Sequence, residues 1–211
     1  EPKGNAKESR PGKAGKTNKA GRAGVTGRAD KAVIMLHGFT GDKSEAGMFD
    51  RIASSIFKAG FAVLRFDFSG CGQSDDASIT IRDEVEDAYS AIVFMKSKGY
   101  RKIGLLGFSL GGLLALRARD DSIKARVLLA PLTKSKNIPT NYRLLDKFLL
   151  ILAGRRKLVK KDRKWRQEMV IGRRFFFEVR TINQRKLGAG IESPVLIIHG
   201  NKDINVPLDF S

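Results

Sequence analysis

The sequence predicts an α/β fold, a mostly parallel sheet with helices on both faces, and three observations carry that prediction. Apolar runs of strand length stand at 32–36, 61–66, 102–106, 125–130 and 194–199, and stretches of helical spacing separate them. The runs are nearly continuous rather than alternating, as strands covered on both faces read. The helical stretches between them are long enough for right-handed crossovers between parallel neighbours.

Each element follows from local signals. Ala32-Val33-Ile34-Met35-Leu36 ends at His37-Gly38, the first strand giving way to a loop. Over 45–59 the apolar residues Met48, Phe49, Ile52, Ile56 and Phe57 recur at helical spacing until Gly60. A second strand runs over 61–66. A helix is expected over 80–98, with Asp83, Glu84, Glu86 and Asp87 in its first half and lysines in its last turn, stopped by Gly99. The third strand leads to Ser109, a helix follows over 111–119, the fourth strand ends at Pro131, and the fifth runs into His199. Some sixty residues separate the fourth and fifth strands, too many for a plain crossover. They read as helices at 142–153, 161–170 and 173–183, so 132–190 is expected to be a helical lid over the C-terminal edge of the sheet, where open α/β folds place their sites. The core is then 31–131 and 191–211.

Composition narrows the possibilities further. The 211 residues are 42% hydrophobic, enough for one sizeable core. The longest apolar stretch, 144–153, is interrupted by Asp146 and Lys147 and falls short of the ~18 residues of a membrane span. A single cysteine, Cys71, precludes an internal disulfide, and the N-terminal residues contain no apolar signal core, so a cytoplasmic location is expected. The formal charge of +18 is uneven. Residues 1–31 hold nine Lys/Arg against three acids, and 132–190 hold seventeen against four, so the remaining core is close to neutral. Residues 1–30 are rich in Gly, Lys, Ala and Asn and bring too little apolar surface to offset ordering entropy; a disordered basic tail is expected.

The chemistry starts at Gly107-Phe108-Ser109-Leu110-Gly111. This G-x-S-x-G lies between a strand and a helix, the setting in which the motif forms a nucleophile elbow. Glycines two before and two after the serine fit because a side chain at either flank would strike a neighbouring strand or helix. A serine nucleophile also needs an oxyanion hole, a base and a group to orient that base. His37-Gly38-Phe39-Thr40-Gly41 follows the first strand, and the N–H of Phe39, with that of Leu110, supplies two oxyanion donors. Asp203 lies on a short loop after the fifth strand, and serine before acid is the chain order of this elbow type. A tight glycine turn at 37–41 and a surface aspartate at 203 are the plainer alternatives.

With those residues in view, residues 31–211 resemble the α/β-hydrolase superfamily, and within it the short-chain carboxylesterases of the cinnamoyl and feruloyl esterase type. The resemblance is carried by HGFTG at 37–41, RFDFSGCGQSD at 65–75, GFSLGG at 107–112, VLLAP at 127–131 and HGNKDINVP at 199–207. It implies Ser109 as nucleophile, Asp203 as acid, and Phe39 and Leu110 as oxyanion donors. It makes Asp67, Ser69, Gly70 and Gly72 a chiefly structural loop. It also implies a catalytic histidine one strand beyond the acid, whereas the only histidines among these residues are His37 and His199, each at a strand end. The chain therefore reads as a truncated hydrolase lacking the last strand and the catalytic histidine, weakly active or inactive as given. Its fifth strand becomes an exposed edge prone to association.

The expected function is serine hydrolysis of carboxylic esters through an acyl-enzyme, with a small-molecule ester as substrate and neither cofactor nor metal, since no P-loop or metal-spaced cluster is present. The alternative is a non-catalytic hydrolase-fold protein whose basic lid and tail bind anionic partners, nucleic acid or an anionic membrane surface. Basic residues lack interleaved aromatics of the RNA-binding kind, and Trp165 stands alone among charges. Cys71 reads as an ordinary loop thiol, and Phe175-Phe176-Phe177 as lid core or as an acyl-pocket wall.

Overall fold

A computed structural model of the protein describes residues 30–134, 155–159 and 168–210. The expected tail and the expected helix over 142–153 lie outside the described residues. All five expected strands are present: β1 (Lys31–Leu36), β2 (Ala62–Arg65), β4 (Lys102–Phe108), β5 (Ile123–Leu129) and β8 (Val195–Ile198). They form one five-stranded sheet in the order β2-β1-β4-β5-β8, and every neighbouring pair is parallel.

Strand periodicity sorts side chains to the two faces. Met35 and Leu106 meet α1 (Met48–Lys58) through Phe49 and Ala53 on one face. On the other, Ile34, Leu36 and Leu105 join the larger cluster with α2 (Ile81–Ser97) and α3 (Leu110–Arg117). The start of α2 is set by Thr80, whose hydroxyl accepts the Asp83 N–H, satisfying one of the helix's free amides. A second cap comes from far along the chain: Glu178 Oε2 accepts the Ile81 N–H at 2.8 Å.

The described residues of 132–190 depart from the helical lid expected of that stretch. Arg155–Val159 is a strand, β6, and Glu168–Gly172 is another, β7, paired antiparallel with it. The two-residue strand β3 (Ser78–Ile79) pairs parallel with Val170 and Ile171 of β7, giving a second, three-stranded sheet in the order β3-β7-β6. The expected helix over 161–170 is thus overturned at 168–170, and its residues 161–167 are outside the described ones. The physical reason is pairing with a distant segment: in β7 Met169 and Ile171 are buried with Val170 less so, a period of two that becomes readable once β3 lies alongside. The helix expected over 173–183 is present but shorter, as α4 (Arg173–Arg180), followed by α5 (Gln184–Gly188).

At the edge of the main sheet β8 is poorly covered. Val195, Leu196, Ile197 and Ile198 are 40–56% exposed, where most strand residues of the sheet centre are buried. Among the described residues no helix is long and apolar enough to cross a membrane.

Candidate active site

Five parallel strands share one C-terminal edge, so the loops after β1, β4 and β8 emerge on the same side. Ser109 stands between β4 and α3 with φ 51° and ψ −114°, a conformation L-residues avoid and one that surrounding structure has to impose. The imposing contacts are visible. Ser109 donates its N–H to Leu129 O at 2.9 Å, and its own carbonyl accepts from Gly112 and Leu132. A Cβ on Gly111 would stand 2.0 Å from Leu36 O, and one on Gly107 2.2 Å from Gly111 O. Both flanking glycines are therefore required by backbone contact, as the motif suggested. The serine side is half-buried rather than enclosed.

Leu36 of β1 pairs with Gly107 of β4, which sets the loop at 37–41 against the elbow. The closeness is measurable at Gly38, where a Cβ would lie 3.4 Å from Ser109 Cβ and 3.2 Å from Phe108. The N–H of Leu110 opens α3, at the positive end of a helix of free amides. Among the described residues neither that amide nor the N–H of Phe39 meets a protein acceptor. The Phe39 ring stacks on Phe175 of α4, centroids 4.6 Å apart and planes 19° apart, and Phe176 meets Phe175 edge-on. Phe177 is 59% exposed, so two rings of that run are packed inward and the third is not.

Asp203 sits on the loop after β8, two strands away from β4, or roughly 10 Å across a sheet. Its Oδ1 accepts the Asn205 and Val206 N–H groups at 2.8 and 2.9 Å. Its Oδ2 lies 3.7 Å from His199 Nε2. The structure thus brings Ser109, Phe39 and Leu110 together and leaves Asp203 on the same edge without direct contact to them.

Neither histidine is placed to serve the serine. His37 Nε2 accepts the Phe68 N–H at 3.0 Å, which makes Nδ1 the protonated nitrogen, 2.9 Å from Gly38 O. That neutral tautomer is locked by both contacts. His199 is turned into its own loop, with Nε2 2.7 Å from Val206 O. The loop after β2 ties the site together from below: Asp67 accepts the N–H of Lys43 and of Gln73, and Ser69 is held by Asp87 of α2. Cys71 is buried beside it. No group of three His, Cys, Asp or Glu residues that could hold a metal occurs among the described residues.

Two contributors escaped sequence reasoning. Glu45 is buried and its Oε1 accepts the Gly38 N–H at 2.6 Å. Glu178 reaches from α4 to the head of α2. Neither lies in a motif, and only the folded loop shows what it touches.

An α/β sheet with a strained serine between strand and helix, and free amides on the adjoining loop, defines a class of protein by its framework. Residues 31–185 match the family model described as the alpha/beta hydrolase fold, and the chain belongs to that family. It is similar to a carboxylesterase of Bacillus subtilis (strain 168), 32% identical over 93 residues, 42% of this chain and 35% of that protein. It is also similar to a putative esterase/lipase of Mycoplasma pneumoniae, 31% identical over 119 residues, 54% of this chain and 42% of that protein. Among solved structures, ferulic-acid-bound Est1E of Butyrivibrio proteoclasticus shares the fold, with a TM-score of 0.66 and 23% identity, over 86% of this chain and 73% of that one. The chain spans about half the length, or less, of several of the curated relatives it matches, and 77% of an AB hydrolase superfamily protein of Bacillus subtilis (strain 168).

Proposed function

We propose that the protein hydrolyses carboxylic esters of small molecules through an acyl-enzyme formed on Ser109. The observation that carries this reading is the backbone of Ser109, held at φ 51° at the head of α3 and beside the loop at 37–41. In the reaction, Ser109 Oγ attacks the acyl carbon, and the carbonyl oxygen gathers negative charge between the N–H groups of Phe39 and Leu110. Fixed amide dipoles stabilise that charge without reorganising, an effect worth ~3 kcal/mol per donor. The alcohol leaves with a proton, and water then releases the acid from Ser109. The names of the Bacillus and Mycoplasma relatives support an ester as the bond that is cleaved.

The serine proton needs an acceptor. His37 is engaged by Phe68 of the loop after β2 and His199 by its own loop, so in this reading the base is a histidine contributed from outside residues 1–211 and oriented by Asp203. Residues 1–211 alone are then weakly active at most, with catalysis limited to what binding and the oxyanion donors supply. The reading needs neither metal nor cofactor.

The test uses the full-length protein with short p-nitrophenyl esters. Hydrolysis is expected, and Ser109→Ala should lower kcat by at least about 10³-fold, as loss of a serine nucleophile does. Turnover that survives the substitution intact refutes the assignment.

A further inference from the structure

The loop at 37–41 offers several amides near Ser109, and the structure shows how two of them are withdrawn from a bound oxyanion. The Gly38 N–H is taken by Glu45 Oε1 at 2.6 Å, and the Gly41 N–H by Gly38 O at 2.9 Å. Gly38 O also lies 2.9 Å from His37 Nδ1. Across a trans peptide the carbonyl of Gly38 and the N–H of Phe39 point in opposite directions from one plane. Pinning the Gly38 C=O therefore fixes the direction of the Phe39 N–H, and Glu45 fixes the preceding His37–Gly38 peptide on which that plane hangs.

The Glu45 carboxylate is built into this loop rather than draped over it. Its side chain is buried, and a hydrogen bond from an amide to a charged oxygen is about twice as strong as one between neutral partners. The space it fills is the space a Gly41 side chain would need: a Cβ there would stand 2.3 Å from Oε1. The same oxygen lies 3.3 Å from the position of a Gly38 Cβ, with Ser109 Cβ 3.4 Å from that point on its other side. Thr40, Glu45 and Ala46 all have positive φ, at 55°, 43° and 53°. Strain in three non-glycine residues persists only where surrounding contacts determine the loop shape.

We propose that Glu45 is a positioning residue of the oxyanion site: its carboxylate removes the Gly38 amide from competition and anchors the His37–Gly38 peptide, from which the next peptide, fixed at Gly38 C=O, presents Phe39 N–H to the reacting oxygen. The proposal rests on the ester-hydrolase reading above. Glu45 touches no reacting atom; it acts through the peptide it holds.

Steady-state kinetics of the full-length protein with a short p-nitrophenyl ester test it. Glu45→Ala should lower kcat by about 10- to 100-fold and leave KM within about twofold, because a misplaced donor weakens the transition state more than the bound ester. Glu45→Gln keeps an acceptor oxygen at the same reach and should recover most of that loss. Gly41→Ala crowds the Glu45 carboxylate without removing it, and its Cβ also comes within 2.9 Å of the Gly38 carbonyl, so it should reproduce the fall in kcat. If it acts through Glu45, the double variant Gly41→Ala/Glu45→Ala falls no further than the lower single variant. A Glu45→Ala kcat within about twofold of the parent overturns the proposal, as does a Glu45→Gln enzyme as slow as Glu45→Ala. Should Glu45→Ala fail to fold, an unchanged kcat in Gly41→Ala overturns it instead. Activity surviving in Ser109→Ala sinks the ester-hydrolase reading itself, a separate failure.

Discussion

Two strand ends carry the proposed chemistry, and they are built differently. At the end of β4 the backbone is packed to contact: Leu105 and Leu106 are buried, and Ser109 is held by hydrogen bonds from three directions. At the end of β8 all four strand residues are exposed, and Asp203 is held by amides of its own loop. The nucleophile geometry is thus fixed by dense packing against β1, β5 and α3, none of which involves the acid. The acid geometry is a local turn whose place in the sheet relative to the serine is set, among the described residues, by the pairing of β8 with β5. The proposed site is therefore two separable constructions, one rigid and one dependent on what else covers the strand that bears it.

Glycine substitutions should separate the two most sharply. Gly111→Ala drives a methyl into the Leu36 carbonyl at 2.0 Å, and neither backbone can yield without moving β1 or α3. A loss of about 3–5 kcal/mol of stability is expected, the upper range for overpacking and strain combined. At Gly200, just after β8, an added Cβ meets nothing within 4 Å, and Gly200→Ala should stay within about 0.5 kcal/mol. Denaturant midpoints of the two variants measure the contrast directly. Equal losses would show that the two ends are packed alike.

The dense side also contains a buried acid that has no partner, and its effect is next in size. Glu84 on α2 is fully buried, and neither carboxylate oxygen finds a hydrogen bond among the described residues. Burial, reinforced by the charges of Asp87, Glu178 and Asp83, pushes its pKa from 4.5 up to about 8. An acid whose pKa is raised by folding binds more protons in the native state, so stability falls with rising pH. The favourable contribution is complete below about pH 4.5 and is lost as the pH climbs through about 8. Glu84→Gln removes the titration, so its stability relative to the parent should grow by on the order of 2–4 kcal/mol between about pH 5 and pH 9. Unfolding midpoints that shift in parallel over that range would mean the carboxyl is solvated or paired after all.

What the sequence made legible follows the same division by locality. The five sheet strands, the helix over 81–97 and the elbow are announced by neighbours in the chain: a run of apolar residues, a Thr80 cap, a pair of glycines around Ser109. Elements that depend on distant partners were not announced. Ser78–Ile79 is too short to signal a strand, and Arg155–Val159 is mostly basic, so the second sheet emerges only from the pairing of β3, β7 and β6. The cap that Glu178 places on Ile81 spans 97 residues. Glu45 sits seven residues from the amide it holds, across a loop without periodicity, and nothing in its immediate context marks it. The motifs therefore pointed to Phe39 and Leu110 as the proposed donors but not to the group proposed to aim one of them.

The smallest expected effect probes the strain on which the rigid end depends. Ser109 at φ 51° and ψ −114° is held against the preference of any residue with a Cβ, at a cost of about 1–3 kcal/mol. Glycine adopts positive φ without that cost, although it surrenders about 0.5–1 kcal/mol in unfolded-state entropy. Ser109→Gly should therefore be more stable than Ser109→Ala by about 1 kcal/mol, since both lack the hydroxyl and only the glycine relaxes. Comparing these two variants with each other, rather than with the parent, cancels any hydrogen bond of the hydroxyl and isolates the backbone. Were Ser109→Gly no more stable than Ser109→Ala, the turn would not be strained, and the packing of Gly107 and Gly111 would be supporting a conformation the chain adopts freely.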